Sequence, residues 1–322
     1  MQRRDLLLLS AASALPGVAR AQGDPLRQVK LIVPYGAGNI TDQVARVFAE
    51  ELPRRWGGRP VIDNQPGAGG VVGVVNLVRA PADGTTLGIV SVAAMAIVPH
   101  TTRPLRYDPL TDLTPIAGIS VSSAFLAVHS SLPVHTLAEL AAYCRARPAD
   151  SPVFYYSPGN ATVPHLNLET IRRALDFPMQ HVPYRTSAAG NTDLLANRVQ
   201  VTMDSFSITL PHMQSGVLRP IAFNGTARHP EFPEIPTFAE AMPGVRLLNA
   251  WSGLFGPRGL PAPIVERASR DVLEIQATPA FVEKLPIGVQ PFVFGPAEFA
   301  AQIRADNERL GRLVAEIGLT PD

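Results

Sequence analysis

Cysteine occurs once in the 322 residues, at Cys144, which rules out an intrachain disulfide and a cysteine-rich metal site. Long apolar runs are also missing: Leu6 to Leu15 is too short for a comfortable membrane span, and no later segment approaches the length one needs. There is no basic block either. With a net charge of +1, neither a nucleic-acid footprint nor a polybasic membrane patch is present. Enzyme signatures are absent as well, with no G-x-S-x-G elbow, no H-E-x-x-H pair, no P-loop and no C-x-x-C. These absences leave a small ligand as the expected partner. What is present is a core-forming composition, 46% hydrophobic against 17% charged, ample for two lobes and unlike a disordered chain. The 32 prolines stand singly at the ends of expected elements, where they punctuate turns.

Residues 1–21 read as an export signal and are set apart from the fold. Arg3 and Arg4 make a positive start, Leu6 to Leu15 is the apolar stretch, and Ala19-Arg20-Ala21 fits a small-x-small cleavage site. Cleavage is expected after Ala21, leaving Gln22 first. The Arg-Arg pair followed by Asp-Leu-Leu is compatible with both twin-arginine and general secretion.

Val29 to Arg54 is the stretch around which the chain is organised. Leu31, Ile32 and Val33 suit a buried strand, Pro34 closes it, and Gly36 and Gly38 permit a sharp turn. Val44, Val47, Phe48 and Leu52 then repeat with helical spacing, and Asn39, with Asp42 three residues on, supplies the N-cap. The free N–H groups and positive dipole end of that helix face the turn, so an anion can bind there without Lys or Arg. Asp42 would repel a carboxylate and is expected to turn back onto its own helix. Pro60 to Arg79 repeats the device, with Val61 and Ile62, then Gly67-Ala68-Gly69-Gly70, then a stripe of Val71, Val74, Val75 and Val78. Either loop alone is an ordinary strand-to-helix joint, whereas two in succession point to converging helix N-termini.

A third strand is expected over Thr85 to Val90, and the alternation implies a parallel sheet with helices on both faces and ligand loops at the strands' carboxyl ends. Ile116 to Val128 reads as extended. A helix follows from the capping box Thr136 to Glu139, with Leu137, Leu140, Ala141 and Cys144 as its buried stripe, making Cys144 a core residue. A second set then mirrors the first: strand Val153 to Tyr156, loop Ser157 to Thr162, helix Pro164 to Leu175. Next come an extended His181 to Tyr184, a helix over Asn191 to Asn197, a strand over Val199 to Met203 and another over Leu218 to Phe223. After an extended run from Asn249 to Phe255, helices near Pro263 to Gln276 and Pro296 to Ile317 have no strands of their own and are expected to pack on the first lobe. That divides the chain into lobe 1 (22–120 and 250–322) and lobe 2 (121–249), with crossings near Ile119 and Trp251.

Gly36-Ala37-Gly38-Asn39-Ile40-Thr41 begins like a dinucleotide fingerprint but has Thr41 in place of the third glycine; Asp63 lies at about the distance of the usual ribose-binding acid. His165, His181 and His212 are separated by other elements and read as surface or capping residues, with no metal site expected. Asp204, at a strand's carboxyl end, either accepts a hydrogen bond from a ligand or caps its own loop.

Seven motifs in order, Leu31 to Asp42, Asp63 to Gly70, Ala82 to Leu87, His181 to Arg185, Val199 to Asp204, Pro236 to Ala241 and Trp251 to Pro257, resemble the substrate-binding proteins of tripartite tricarboxylate transporters, the Bug family. The likeness runs from about Val29 to Gly318. It implies an α/β, two-lobed periplasmic binding protein of type II with a hinge between lobes, monomeric, non-catalytic and free of cofactor, presenting a small organic carboxylate to the membrane subunits of such a transporter. The family pattern places ligand contacts at Tyr35, Gly36, Ala37, Gly38, Asn39, Ile40, Thr41 and Asp42, and at Gly67, Ala68, Gly69 and Gly70. On the second lobe it places them at Ser157, Gly159, Asn160, Thr162, His165, Tyr184, Ser187 and Asp204. Ile40, Pro158 and Val163 replace small or polar family residues, which disfavours citrate and suggests an acid with an apolar body. Two other readings use the same lobes: an exported α/β enzyme with a nucleotide on the Gly36 loop, and a ligand sensor for a signalling receptor.

Overall fold

The computed structural model describes residues 24–184 and 186–318; the export signal, its cleavage point and Arg185 lie outside them. Strand β1 (Lys30–Val33) buries Leu31, Ile32 and Val33 together, as a strand covered on both faces must. It leads through the glycine turn to α1 (Ile40–Glu51), then β2 (Val61–Asn64), α2 (Val71–Val78) and β3 (Thr86–Ser91). β1 pairs in parallel with both β2 and β3. A turn of π-helix, Ala93–Ile97, follows β3 directly.

The first sheet is completed by β4 (Leu113–Ser122), β10 (Ala250–Pro257) and β11 (Val289–Pro291), in the order β11-β4-β10-β3-β1-β2. The purely parallel sheet expected from alternation is therefore corrected to a mixed one, because β10 runs antiparallel to both β3 and β4. The reason is topological. β10 returns from the other lobe with no βα crossover to impose a direction on it, whereas β1, β2 and β3 are joined by such crossovers.

The chain leaves this sheet after Ser122 and enters the second at Phe125, so the passage between sheets falls at Ser123-Ala124; Ile119 and Trp251 lie inside β4 and β10. The second sheet comprises β5 (Phe125–His129), β6 (Phe154–Ser157), β7 (Gln180–Pro183), β8 (Val201–Thr202) and β9 (Leu218–Phe223), ordered β7-β6-β8-β5-β9. Helices α3 (Leu137–Ala146), α4 (Val163–Ala174), α5 (Ser187–Leu195) and α6 (Phe206–Gln214) connect its strands. α5 starts earlier than expected because Thr186 Oγ1 accepts the Ala189 N–H at 3.3 Å. α6 was not among the expected elements; Pro211 lies within it, and its buried Phe206, Leu210 and Met213 keep helical spacing.

The last helices, α7 (Ala262–Gln276) and α8 (Pro296–Glu316), cover opposite faces of the first sheet. Ala268, Val272 and Ile275 join the core around Val44 and Phe48, while Phe299, Ile303 and Leu310 join the core around Val74 and Trp251. Cys144 is buried on α3, and burial pushes its thiol up to about 12. Among the described residues no helix is long and apolar enough to cross a membrane.

Candidate ligand-binding cleft

A cavity of about 490 Å³ opens between the two sheets, within the range of small-molecule sites. A depression of similar size, about 500 Å³, lies against α7 and Pro296; no strand end or glycine turn borders it, so it offers none of the features from which a ligand site is built.

The first wall begins with the Gly36 loop. Gly38 adopts φ +82°, open to glycine without penalty, and Asn39 Oδ1 accepts the Thr41 N–H at 2.8 Å as N-cap of α1. Asp42 turns back, as expected. Its carboxylate accepts the Gly38 N–H at 2.8 Å, Arg46 Nε at 2.9 Å and Asn64 Nδ2 at 2.9 Å. Burial raises its pKa, but those three partners outweigh burial and the net shift is downward. This arrangement removes the Gly38 N–H from any ligand and puts a negative charge beneath the turn, which counts against a pyrophosphate on this loop.

The second glycine loop works at one remove. Gly67, Ala68, Gly69 and Gly70 all have positive φ and do not border the cavity. Gly70 instead makes room for the Tyr35 ring: a Cβ there would sit 3.2 Å from Tyr35 Cε1. Tyr35 lines the cavity and its hydroxyl pairs with Ser91 Oγ at 2.5 Å. Burial raises the pKa of that phenol.

Behind Tyr35 lies a row of hydroxyls. Ser252 on β10 is in register with Ser91 on β3 and Ser120 on β4, and Ser120 Oγ meets Ser252 Oγ at 2.7 Å. Eight serines line the cavity in all, with no Lys, Arg or His among the described lining residues. Ile40, Pro158 and Val163, from which citrate was disfavoured, do border the cavity, but so do these serines, so hydroxyl partners for a polar acid are present as well. Ile40 also packs against the first-lobe core, so it does both things at once.

Trp251 borders the same space, stacked on Phe292 with an interplanar angle of 6°. Its indole N–H donates to Asp306 on α8 at 2.7 Å. Arg309 pairs with Asp306 and donates to the carbonyls of Arg246 and Leu247. Leu248 is held in turn by Asn167 and Asn224, which donate to its carbonyl at 3.1 Å each. The returning segment between the sheets is thus tied to both lobes.

On the second wall the Ser157 to Thr162 loop is braced from behind. Ser157 Oγ and Thr162 Oγ1 both donate to the Gly159 carbonyl, at 2.8 and 2.9 Å. Ser157 Oγ also meets His181 Nε2 at 2.7 Å. The pair resembles a nucleophile and its base, but its polarity is opposite. With the hydroxyl proton given to Gly159, the imidazole N–H must donate to Oγ, so His181 holds no lone pair toward the serine. His165 Nδ1 accepts the Ala161 N–H at 3.0 Å, and the two imidazoles stack at 3.9 Å. The surface reading of His165 is therefore corrected: it is buried, and it caps the loop. Burial pushes both imidazoles down, His181 to about 4, with the neighbouring His165 adding to the effect.

Of the residues expected at the site, Tyr35, Gly38, Asn39, Ile40, Thr41, Ser187 and Asp204 line the cavity. Gly36, Ala37, Asp42, Gly67, Ala68, Gly69, Gly70, Ser157, Gly159, Asn160, Thr162, His165 and Tyr184 do not; several of them hold the lining residues in place. Tyr184 gives its hydroxyl to Asp193 at 2.7 Å. Lining residues that sequence reasoning missed include the serine row, Asn167, Asn224, Trp251, the residues opening α6 and the Ile287 to Val289 turn.

A family model for the tripartite tricarboxylate transporter family receptor matches residues 44–319. Protein BugT of Bordetella pertussis is 29% identical over 310 residues, covering 96% of this chain and 94% of that protein. Among solved structures, the periplasmic binding protein BugD superposes with a TM-score of 0.73 at 25% identity, over 91% of this chain and 98% of its own. Rpa4515 of R. palustris with adipate gives 0.77 at 32% identity, over 92% and 99%. These likenesses carry the two-lobed type II binding-protein fold.

Proposed function

The chain belongs to the tripartite tricarboxylate transporter receptor family, and from that premise we propose that it is an exported, non-enzymatic solute-binding protein. It captures a small organic carboxylate and, as a monomer in the periplasm, presents it to the membrane subunits of a tripartite tricarboxylate-type transporter. One observation carries this reading: the cleft between the sheets is lined by the first turns of α1, α4, α5 and α6 and by hydroxyls, with no cationic side chain among the described lining residues. Main-chain N–H groups at helix starts suit a carboxylate, and donors on both lobes favour closure around it by hinge motion at Ser123-Ala124 and the Leu248 segment. The bound adipate of Rpa4515 supports the ligand class. Ile40, Val163, Met203, Phe206 and Trp251 supply an apolar side for the ligand's body.

A thermal-shift screen of mono-, di- and aromatic carboxylates against mature protein tests the reading. A carboxylate at 100 times its dissociation constant stabilises by about 2.7 kcal/mol, and small-angle scattering should record compaction at saturation. Stabilisation by NAD or ATP, with none by any carboxylate, would overturn it.

A further inference from the structure

Two carboxamides meet where the chain returns between the lobes. Asn167, on α4, and Asn224, which follows β9, both border the cavity. Each Nδ2 donates to the Leu248 carbonyl at 3.1 Å, so the two nitrogens are no farther apart than twice that distance. The Leu248 N–H in turn donates to Asn167 Oδ1 at 2.7 Å. These contacts fix which way both amides point, since a backbone N–H must meet an amide oxygen and a carbonyl must meet an amide nitrogen.

A primary amide nitrogen carries two N–H groups. One from each side chain goes to Leu248, and the second has no partner among the described residues. Asn167 is 1% exposed, so bulk water does not serve its second N–H, and a buried donor left unmet is costly. The cavity that both residues border is the space from which an acceptor can reach them. Other donors on this wall are already engaged. Five acids are buried, Asp42, Glu169, Asp204, Asp271 and Asp306, and Arg46, Arg172, Arg267 and Arg309 approach all but Asp204. Asp204, which has no cationic partner among the described residues, takes the Tyr156 hydroxyl and the Ser205 N–H. Those two groups are thereby withdrawn from a ligand, while the amide pair still has N–H groups to give.

We propose that Asn167 and Asn224 seat the far end of the ligand: their second N–H groups meet an acceptor oxygen, of a carboxylate or an amide, on an acid whose first carboxylate lies at the helix start of the first wall. The inference rests on the reading of the cleft as a carboxylate site and adds which side chains hold the second polar group and what that contact does. Both asparagines belong to lobe 2, so a ligand held at both ends joins the lobes and binds the closed form more tightly than the open one. An acid with a plain alkyl end lacks the second attachment. Because the same amides hold Leu248, the attachment is made at the segment about which the lobes turn.

Calorimetry on mature protein tests it with series matched in length from butanoate to octanoate, each as the plain acid, the diacid, the mono-amide of the diacid and the ω-amino acid. At the best-fitting length the diacid or the mono-amide binds at least about tenfold more tightly than the plain acid and the ω-amino acid, and small-angle scattering shows greater compaction with it than with the plain acid. Asn224→Leu leaves the Leu248 carbonyl its bond from Asn167. It narrows the ratio of diacid to plain acid to within about threefold, the loss falling on the diacid and the mono-amide. An equal loss for all four ligands marks Asn224 as a support for Leu248 alone and overturns the proposal. So does a plain acid or an ω-amino acid that binds the native protein as tightly as the diacid and the mono-amide at every length. Should Asn224→Leu fail to fold, Asn224→Ala and the native series decide in the same way. If no acid of any length binds, the proposed function fails with it; if acids bind and the ratio is the same in native and variant protein, this inference fails alone.

Discussion

Asp42 and Asp204 stand at corresponding places, each at the entry to a helix that opens on the cleft, and they are handled in opposite ways. Asp42 is drawn away from the cavity and compensated by Arg46, Asn64 and the Gly38 N–H. Asp204 borders the cavity without a cationic partner among the described residues. The supports behind the two walls differ in the same sense. An ion pair holds the first loop, and two stacked neutral imidazoles hold the second. The two walls should therefore respond differently to bulk, to acid and to loss of apolar surface.

The largest effect is expected from bulk on the first wall. Gly70 has φ +103° and its missing Cβ leaves 3.2 Å to the Tyr35 ring, so Gly70→Val combines backbone strain with displacement of Tyr35 from Ser91. Affinity should fall by about 100-fold or more, with Gly70→Ala intermediate. Native affinity in Gly70→Val, measured by calorimetry, would mean that Tyr35 does not shape the site.

Acid should separate the walls. Burial holds His181 near 4, from an ordinary 6.5, so the unfolded chain takes up a proton that the folded chain refuses. Stability contributed by this pair is complete above 6.5 and is lost as pH falls toward 4. Tyr155, Glu169 and Arg172 pack around the pair, and the charge of Glu169 only partly opposes the effect of burial. Asp42 lies below its usual 3.8, so its contribution persists until the pH falls under that value. Hydrogen exchange should then register loss of protection in the loop after β6 before the loop after β1. His181→Gln, which keeps an N–H for Ser157, should flatten the response between those limits. Simultaneous loss in both loops would contradict the assignment.

The smallest effect concerns Ile40, which serves cavity and core together. Ile40→Ser should weaken an apolar-bodied acid by roughly threefold to tenfold and also lower the melting temperature of the empty protein by a few degrees. A change confined to one measurement would assign the side chain to one role.

What could be read from the sequence was local. The N-caps at Asn39 and Thr136 and the buried stripe ending at Cys144 depend on residues within a few positions of one another, and all are present. The turning back of Asp42 was legible for the same reason, although it was expected to cap its own helix and instead holds Gly38 in the loop and Asn64 on β2. The serine row was not, because it exists only through the register of three strands, with Ser120 and Ser252 separated by 132 positions. Nor was α6, which holds Pro211 within it and is sustained by the packing of Phe206, Leu210 and Met213. The histidines were judged by their separation along the chain, and a strand and a helix bring two of them face to face. That Asp204 has no cationic partner among the described residues could not be known before the partners of the other four acids were known.

The two tryptophans have a practical consequence. Trp56 lies in the first-lobe core with its indole N–H on Asp271, remote from the cleft lining, while Trp251 forms part of that lining. Both are fully buried in the same lobe, and their emission shares one instrument and one sample. Trp251 is therefore the tryptophan whose emission a bound ligand should change, and a Trp251→Phe protein, left with Trp56 alone, should lose that change.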